Sequence, residues 1–198
     1  MRLFYAPGAC SLAPHIVISE AGLDVALERV DMAAKRTESG RDYLQINPQG
    51  AVPALELDNG EVLTEAQVVL QYLAAQAPAA HLAPVEGMAR WRLLETLNFI
   101  ATELHKGFGP LWHSTVPEVR EATVRTLANR FALLSGKLGD KPYLIGVYSI
   151  ADAYALVTLR WARHFEVDIG QNLEVYRQRL LERPAVRQAF AEEGLPLA

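Results

Sequence analysis

Four groups of residues in this chain combine type and spacing in ways that could do chemistry. The first is Cys10, in Tyr5-Ala6-Pro7-Gly8-Ala9-Cys10-Ser11, where a short apolar strand gives way to a helical pattern. Thiolates react and thiols mostly do not, and the positive end of a helix dipole favours the thiolate. The position predicts a nucleophile or a thiol-recognition site; the competing reading is a buried cysteine that fills space. The second is Val52-Pro53. Proline in a strand costs a ladder hydrogen bond and belongs at an edge, a strand start or a bulge. With a cis bond before Pro53, the N–H and C=O of Val52 can face a ligand and pair with an extended peptide as an extra strand. An edge-strand proline with no ligand is the alternative.

The third group is Thr64-Glu65-Ala66. Free N–H groups at a helix N-terminus suit a carboxylate, and Glu65 adds a charge for an ammonium group, so one spot could grip both ends of an α-amino acid headgroup. A helix cap with a dipole-friendly acid has the same signature. The fourth is Asn98, Thr102 and His105, spaced i, i+4, i+7 and so on one stripe of a helix, beside the apolar positions Leu93, Leu97, Ile100 and Leu104. His105 there could donate a hydrogen bond to a thiolate or accept a proton; a structural histidine is the plainer reading. His15, His81, His113 and His164 receive no role, and their spacings suggest no metal site.

The elements that would position these residues alternate at first and then become helical. Arg2 to Ala6 reads as a strand, and Leu12 to Ala21 as a helix with Pro14 in its first turn and Gly22 as its stop. Val25 to Asp31 alternates as a strand, and Glu38 to Ile46 reads as a short helix ended by Asn47-Pro48-Gln49-Gly50. Val52 to Leu57 and Glu61 to Leu63 form a hairpin across Asp58-Asn59-Gly60, and Thr64 caps a helix running to about Gln76. The order is β-α-β-α-β-β-α. After a linker at 77–84, Gly87 to His113 reads as one long helix and Pro117 to Leu138 as another. Ser149-Ile150-Ala151-Asp152 is a helix-start box before a segment, through Leu159, that is apolar on nearly every face and predicts the buried centre of a helical domain. Helices at about 173–181 and 185–192 follow.

The totals narrow the function classes. With 198 residues, 51% hydrophobic and 21% charged, the chain has the composition of an ordinary globular protein able to bury a substantial core. A net charge of −4 without basic runs argues against nucleic acid or an anionic membrane surface as the main partner. One cysteine cannot form an internal disulfide, and no apolar run approaches membrane-spanning length, so a cytoplasmic location is expected.

Taken together, these segments resemble the beta-class glutathione S-transferases of bacteria. Tyr5 to Ile16 is similar to the family's opening, Asn47 to Leu55 to its cis-proline segment, and Leu63-Thr64-Glu65 to its glutathione-headgroup turn. Leu97 to Lys106 is similar to the helical-domain signature and Ser149 to Asp152 to the capping box. The resemblance implies an α/β plus all-α architecture: a thioredoxin-like glutathione-binding domain over 1–80, and an all-helical domain with a hydrophobic co-substrate wall over 87–198. It implies a homodimer and glutathione, as co-substrate, in the cleft between domains. Cys10 would lie against the glutathione sulfur, and Val52 would pair with the cysteinyl backbone while Pro53 holds the turn. Glu65 and the N–H of Ala66 would hold the γ-glutamyl group, and Lys35 would sit near the glycyl end. Asn98, Thr102, Glu103, Leu104 and His105 match the helical-domain contacts, with His105 tuning the sulfur and Glu103 reaching the partner subunit's ligand.

Two positions depart from the family pattern: Ala66, where Ser or Gly is usual, and Ala51, where an aromatic is usual. Without the serine hydroxyl one hydrogen bond to glutathione is missing, worth about 1 kcal/mol, which predicts weakened affinity. Conjugation of glutathione to small hydrophobic electrophiles leads the readings, with Phe108, Leu111 and Trp112 as candidates for the apolar wall. Disulfide exchange through a Cys10 mixed disulfide is the rival enzyme, beside a glutathione-dependent isomerase or dehalogenase. A non-catalytic ligand-binding protein on the same fold is the third reading.

Overall fold

A computed structural model describes residues 1–197. The chain divides into two compact units: one joins Met1–Ala83 to the chain's last segment from Glu182, and the other is Pro84–Leu181. The sequence reading runs the helical domain to the end of the chain, whereas the contacts place the final helix with the first unit.

The first unit is built on a five-stranded sheet of order β3-β2-β1-β4-β5. Strand β1 (Arg2–Tyr5) pairs in parallel with β2 (Ala26–Asp31) and antiparallel with β4 (Ala54–Glu56). Strands β3 (Arg36–Thr37) and β5 (Val62–Leu63) close the two edges antiparallel to β2 and β4. Helix α1 (Leu12–Ala21) ends at Gly22, whose left-handed φ of 62° lets its N–H reach back to the carbonyls of Ile18 and Ser19. Leu12 to Ile18 are all buried because α2 (Ala66–Gln76) and the last helix, α8 (Pro184–Glu192), both pack along α1. Phe4, Val30, Tyr43, Val52 and Ala54 form a core cluster in the same unit.

The helix expected over Glu38–Ile46 is reduced to a 3₁₀ turn at Tyr43–Gln45, preceded by the short strand β3. The cause is local. Gly40 takes a φ of 87°, the Thr37 hydroxyl accepts the Arg41 N–H, and the Asp42 carboxylate accepts the Leu44 N–H, so side chains and a turn take the groups a helix needs.

The second unit is helical. It contains α3 (Gly87–Phe99), a π-helical segment at Ile100–His105, a 3₁₀ turn at Lys106–Phe108, α4 (Gly109–His113), α5 (Pro117–Leu138), α6 (Ile150–His164) and α7 (Gly170–Leu181). The single helix expected over Gly87–His113 is therefore broken twice. Pro110 has no N–H to give the Lys106 carbonyl and its ring crowds that turn, so a regular ladder cannot run through it. The buried centre falls on α6, as its apolar circumference predicts: Ile150, Ala151 and Ala155 to Leu159 are nearly all without exposure. Asp152 anchors that helix. Its carboxylate accepts from the Ser149 N–H (2.8 Å) and hydroxyl (2.9 Å), the Leu144 N–H (2.9 Å) and the Tyr176 hydroxyl (2.5 Å). Burial pushes the Asp152 carboxyl up, against the pull of these four donors.

Candidate functional site

The first unit brings Cys10, Val52, Glu65 and Lys35 to one end of the sheet. Cys10 lies two residues ahead of α1, in a loop closed at two points. The Ser11 hydroxyl accepts the Ala6 N–H at 3.1 Å and donates to the Ala6 carbonyl at 3.3 Å. The Gly8 N–H donates to the Glu193 carboxylate at 2.7 Å, with Gly8 at a φ of 70° that favours glycine.

Within this loop the Cys10 Sγ donates to the Val52 carbonyl at 3.0 Å, and Cys10 is only 8% exposed. Burial pushes its thiol up to about 12, with the Glu65 charge adding to the shift and the N–H groups of Cys10 and Ser11 opposing it. The thiolate expected from a helix N-terminus is thus corrected: desolvation outweighs the local dipole, and Cys10 is a neutral thiol.

The Val52–Pro53 bond is cis. The turn before it is braced by the Tyr43 hydroxyl (2.7 Å) and the Asn47 amide (2.8 Å), which both donate to the Ala51 carbonyl, while the Lys35 ammonium donates to the Gly50 carbonyl at 2.8 Å. Ala51 itself is exposed. Tyr43 is a residue that sequence reasoning missed; it is fully buried and holds the cis-proline turn through its one polar atom.

Glu65, rather than Thr64, is the N-cap of α2, and its side chain makes no capping bond. Its backbone sits at φ 66°, ψ 114°, a conformation that costs a non-glycine residue roughly 1–3 kcal/mol and is found where a site demands it. Glu65 is exposed, Ala66 is buried, and the first N–H groups of α2 lie beside the carboxylate with no intrahelical acceptor.

The second unit carries the remaining predicted residues, and the π segment rearranges them. Asn98 and Thr102 stay exposed on one stripe, with the Thr102 hydroxyl donating to the Asn98 carbonyl at 3.0 Å. Glu103 pairs with Arg130 at 2.9 Å. Leu104 has no exposure. His105 leaves the exposed stripe because a π turn is wider than an α turn. Its Nδ1 lies 2.6 Å from the Tyr154 hydroxyl, and its ring meets Trp161 edge-on at 5.0 Å. Burial lowers His105 to about 4, and Lys106 adds to the shift, so the imidazole is neutral at physiological pH. Phe108 and Leu111 are core residues, which leaves Trp112 as the exposed member of the expected apolar wall.

His15 was assigned no role, yet it is the most constrained histidine of the first unit. At 1% exposure it is held between Glu193 (Nδ1, 3.0 Å) and Glu192 (Nε2, 2.6 Å), both contributed by the chain's last segment. Burial alone would lower its pKa, but the two carboxylates raise it. Glu193 therefore braces α1 through His15 and the Cys10 loop through Gly8. No local signal could announce a pairing across 178 residues.

The chain that carries this strand–loop–helix, with a cysteine beside a cis-proline, is similar to known proteins. Residues 1–75 match the model of the glutathione S-transferase N-terminal domain and residues 99–184 that of the C-terminal domain. The chain belongs to the glutathione S-transferase family and is a glutathione transferase. It is 45% identical to glutathione S-transferase GstA of Escherichia coli O157:H7, over 98% of this chain and all of that one. Among solved structures, a sphingomonad glutathione S-transferase complexed with glutathione is 43% identical, with a TM-score of 0.94 over 99% of this chain and all of that one. The bacterial beta-class enzyme of Sphingomonas chungbukensis is 42% identical over the same shares, also at 0.94.

Proposed function

We propose that the chain binds glutathione on its first unit and conjugates it, through its thiol, to small hydrophobic electrophiles. The observation that carries this reading is the 3.0 Å bond between the Cys10 Sγ and the Val52 carbonyl, which sets a thiol against the main chain that leads into the cis-proline. A peptide thiol paired along Val52 brings its own sulfur to Cys10. Glu65 and the opening N–H groups of α2 take the ammonium and carboxylate of the γ-glutamyl headgroup, and Lys35 takes the glycyl carboxylate. Asn98, Thr102, Glu103, Leu104 and the neutral His105 have the roles that the family resemblance gives them. The protein acts as a homodimer.

A buried thiol at about 12 favours conjugation over disulfide exchange. Exchange needs Cys10 as a thiolate nucleophile, whereas conjugation needs it only as an S–H donor that stabilises the thiolate of glutathione. That thiolate attacks the electrophile, the proton passes to solvent, and the leaving group departs.

Calorimetry with reduced protein and glutathione tests the reading. Saturable binding at one site per chain is expected, and no binding at millimolar glutathione would overturn both glutathione-dependent enzymes. Replacing Glu65→Gly sharpens the test. Glycine relieves the positive φ and is expected to stabilise the fold by about 1 kcal/mol in urea titrations. Loss of the charge-assisted contact should weaken glutathione about tenfold. A variant both weaker in binding and less stable would show that the strained backbone is not held for the ligand.

A further inference from the structure

We infer that Tyr154 is a positioning residue that fixes the tautomer of His105, so that the imidazole offers Nε2–H as a hydrogen-bond donor and cannot serve as a base. The observation is a 2.6 Å contact between the Tyr154 hydroxyl and His105 Nδ1 in the second unit, between residues 49 apart in sequence. Tyr154 is 2% exposed and fixed on α6, the buried centre of its unit, so its hydroxyl is a preset feature of the scaffold. The His105 ring meets Tyr154 at 85° and Trp161 at 67°, and these two edge contacts fix its plane.

Protons decide the rest. A neutral imidazole carries one N–H, and whichever nitrogen accepts a bond leaves the other to donate. Of the two partners the phenol is the stronger acid and the ring nitrogen the stronger base, so Tyr154 donates and Nδ1 accepts. The single imidazole proton then resides on Nε2. Lys106, the charge that acts on His105, is a cation and offers no acceptor to reverse the tautomer.

The sequence leaves two roles open for His105, donor to a thiolate or acceptor of a proton, and this contact selects the first. The consequence for catalysis rests on the proposed glutathione chemistry: Nε2–H offers an anionic group what an oxyanion-hole donor offers an oxyanion. The tautomer itself does not depend on that chemistry.

Long-range proton–nitrogen correlation spectra of the full chain, labelled with 15N-histidine, read the tautomer directly. His105 is assigned by the signal lost in His105→Gln. In the unsubstituted protein it is expected as the Nε2–H form from pH 5.5 to 8.5, without titrating. An Nδ1–H form, or titration near pH 6.5, would overturn the inference without need of any variant. In Tyr154→Phe the signal should move to a tautomer mixture, with kcat for an aryl halide falling about tenfold and KM for glutathione changing less than twofold. An unchanged tautomer in that variant would also overturn it. A protein that binds no glutathione but shows the expected spectra would retain the tautomer assignment and lose the proposed function, so the two failures are separable.

Discussion

Iodoacetamide is expected to alkylate Cys10 of the glutathione-free protein about fiftyfold more slowly than an unhindered thiol at pH 8. Burial pushes Cys10 from 9.0 to about 12, which cuts the thiolate population roughly a thousandfold at a pH below both values. A more basic thiolate is also a better nucleophile, and with a Brønsted slope near 0.45 this returns about twentyfold. The net is the stated factor, with the 8% exposure of Cys10 slowing the reaction further. A rate equal to that of a free thiol would mean that Cys10 keeps the acidity of an exposed thiol. The disulfide-exchange reading would then displace conjugation.

Glu193→Ala is expected to destabilise the protein by about 3 kcal/mol, the low end of the range for breaking a buried ion pair. The substitution removes the carboxylate that faces both His15 Nδ1 and the Gly8 N–H, leaving the imidazolium to Glu192 and the Cys10 loop without its tie to the last segment. Urea titration checks it, with the midpoint shifted and the slope unchanged. The same pair predicts a pH dependence. His15 is held protonated above its ordinary value, so its contribution is whole below about pH 6.5 and is lost as pH rises through the raised folded value. The urea midpoint should therefore fall as pH rises above about 6.5, and His15→Gln should flatten that fall. A slope that survives in His15→Gln would assign it to another group.

The parts of the molecule legible in the sequence are those whose signals are local. Gly22 stops α1 as its left-handed φ requires, and Ser149 with Asp152 opens α6 with both reciprocal bonds of a capping box. Pro53 and Val52 were recognisable because proline punctuates a strand. Where several local preferences compete, the reading failed: the 38–46 segment spends its backbone groups on Gly40, Thr37 and Asp42, and Pro110 breaks a pattern that looks helical by periodicity alone. The ionisation of Cys10 was misread for a different reason. A dipole can be inferred from a helix start, but desolvation depends on neighbours such as Val52, which lies 42 residues away. His105 shows the same limit, because nothing in its own neighbourhood of sequence points to Tyr154.

The attachment of α8 to the first unit has a consequence for how the molecule is made. In chain order the helical unit is an insertion: all of 84–181 lies between the two parts of its neighbour. A ribosome therefore completes the helical unit before the thioredoxin-like one. His15 and the Cys10 loop emerge ahead of the helical unit, yet they wait for Glu192 and Glu193 until all of 84–181 has been made. The nascent chain thus carries its cysteine loop without its brace while the helical unit is synthesised, and the loop acquires its final form only afterwards.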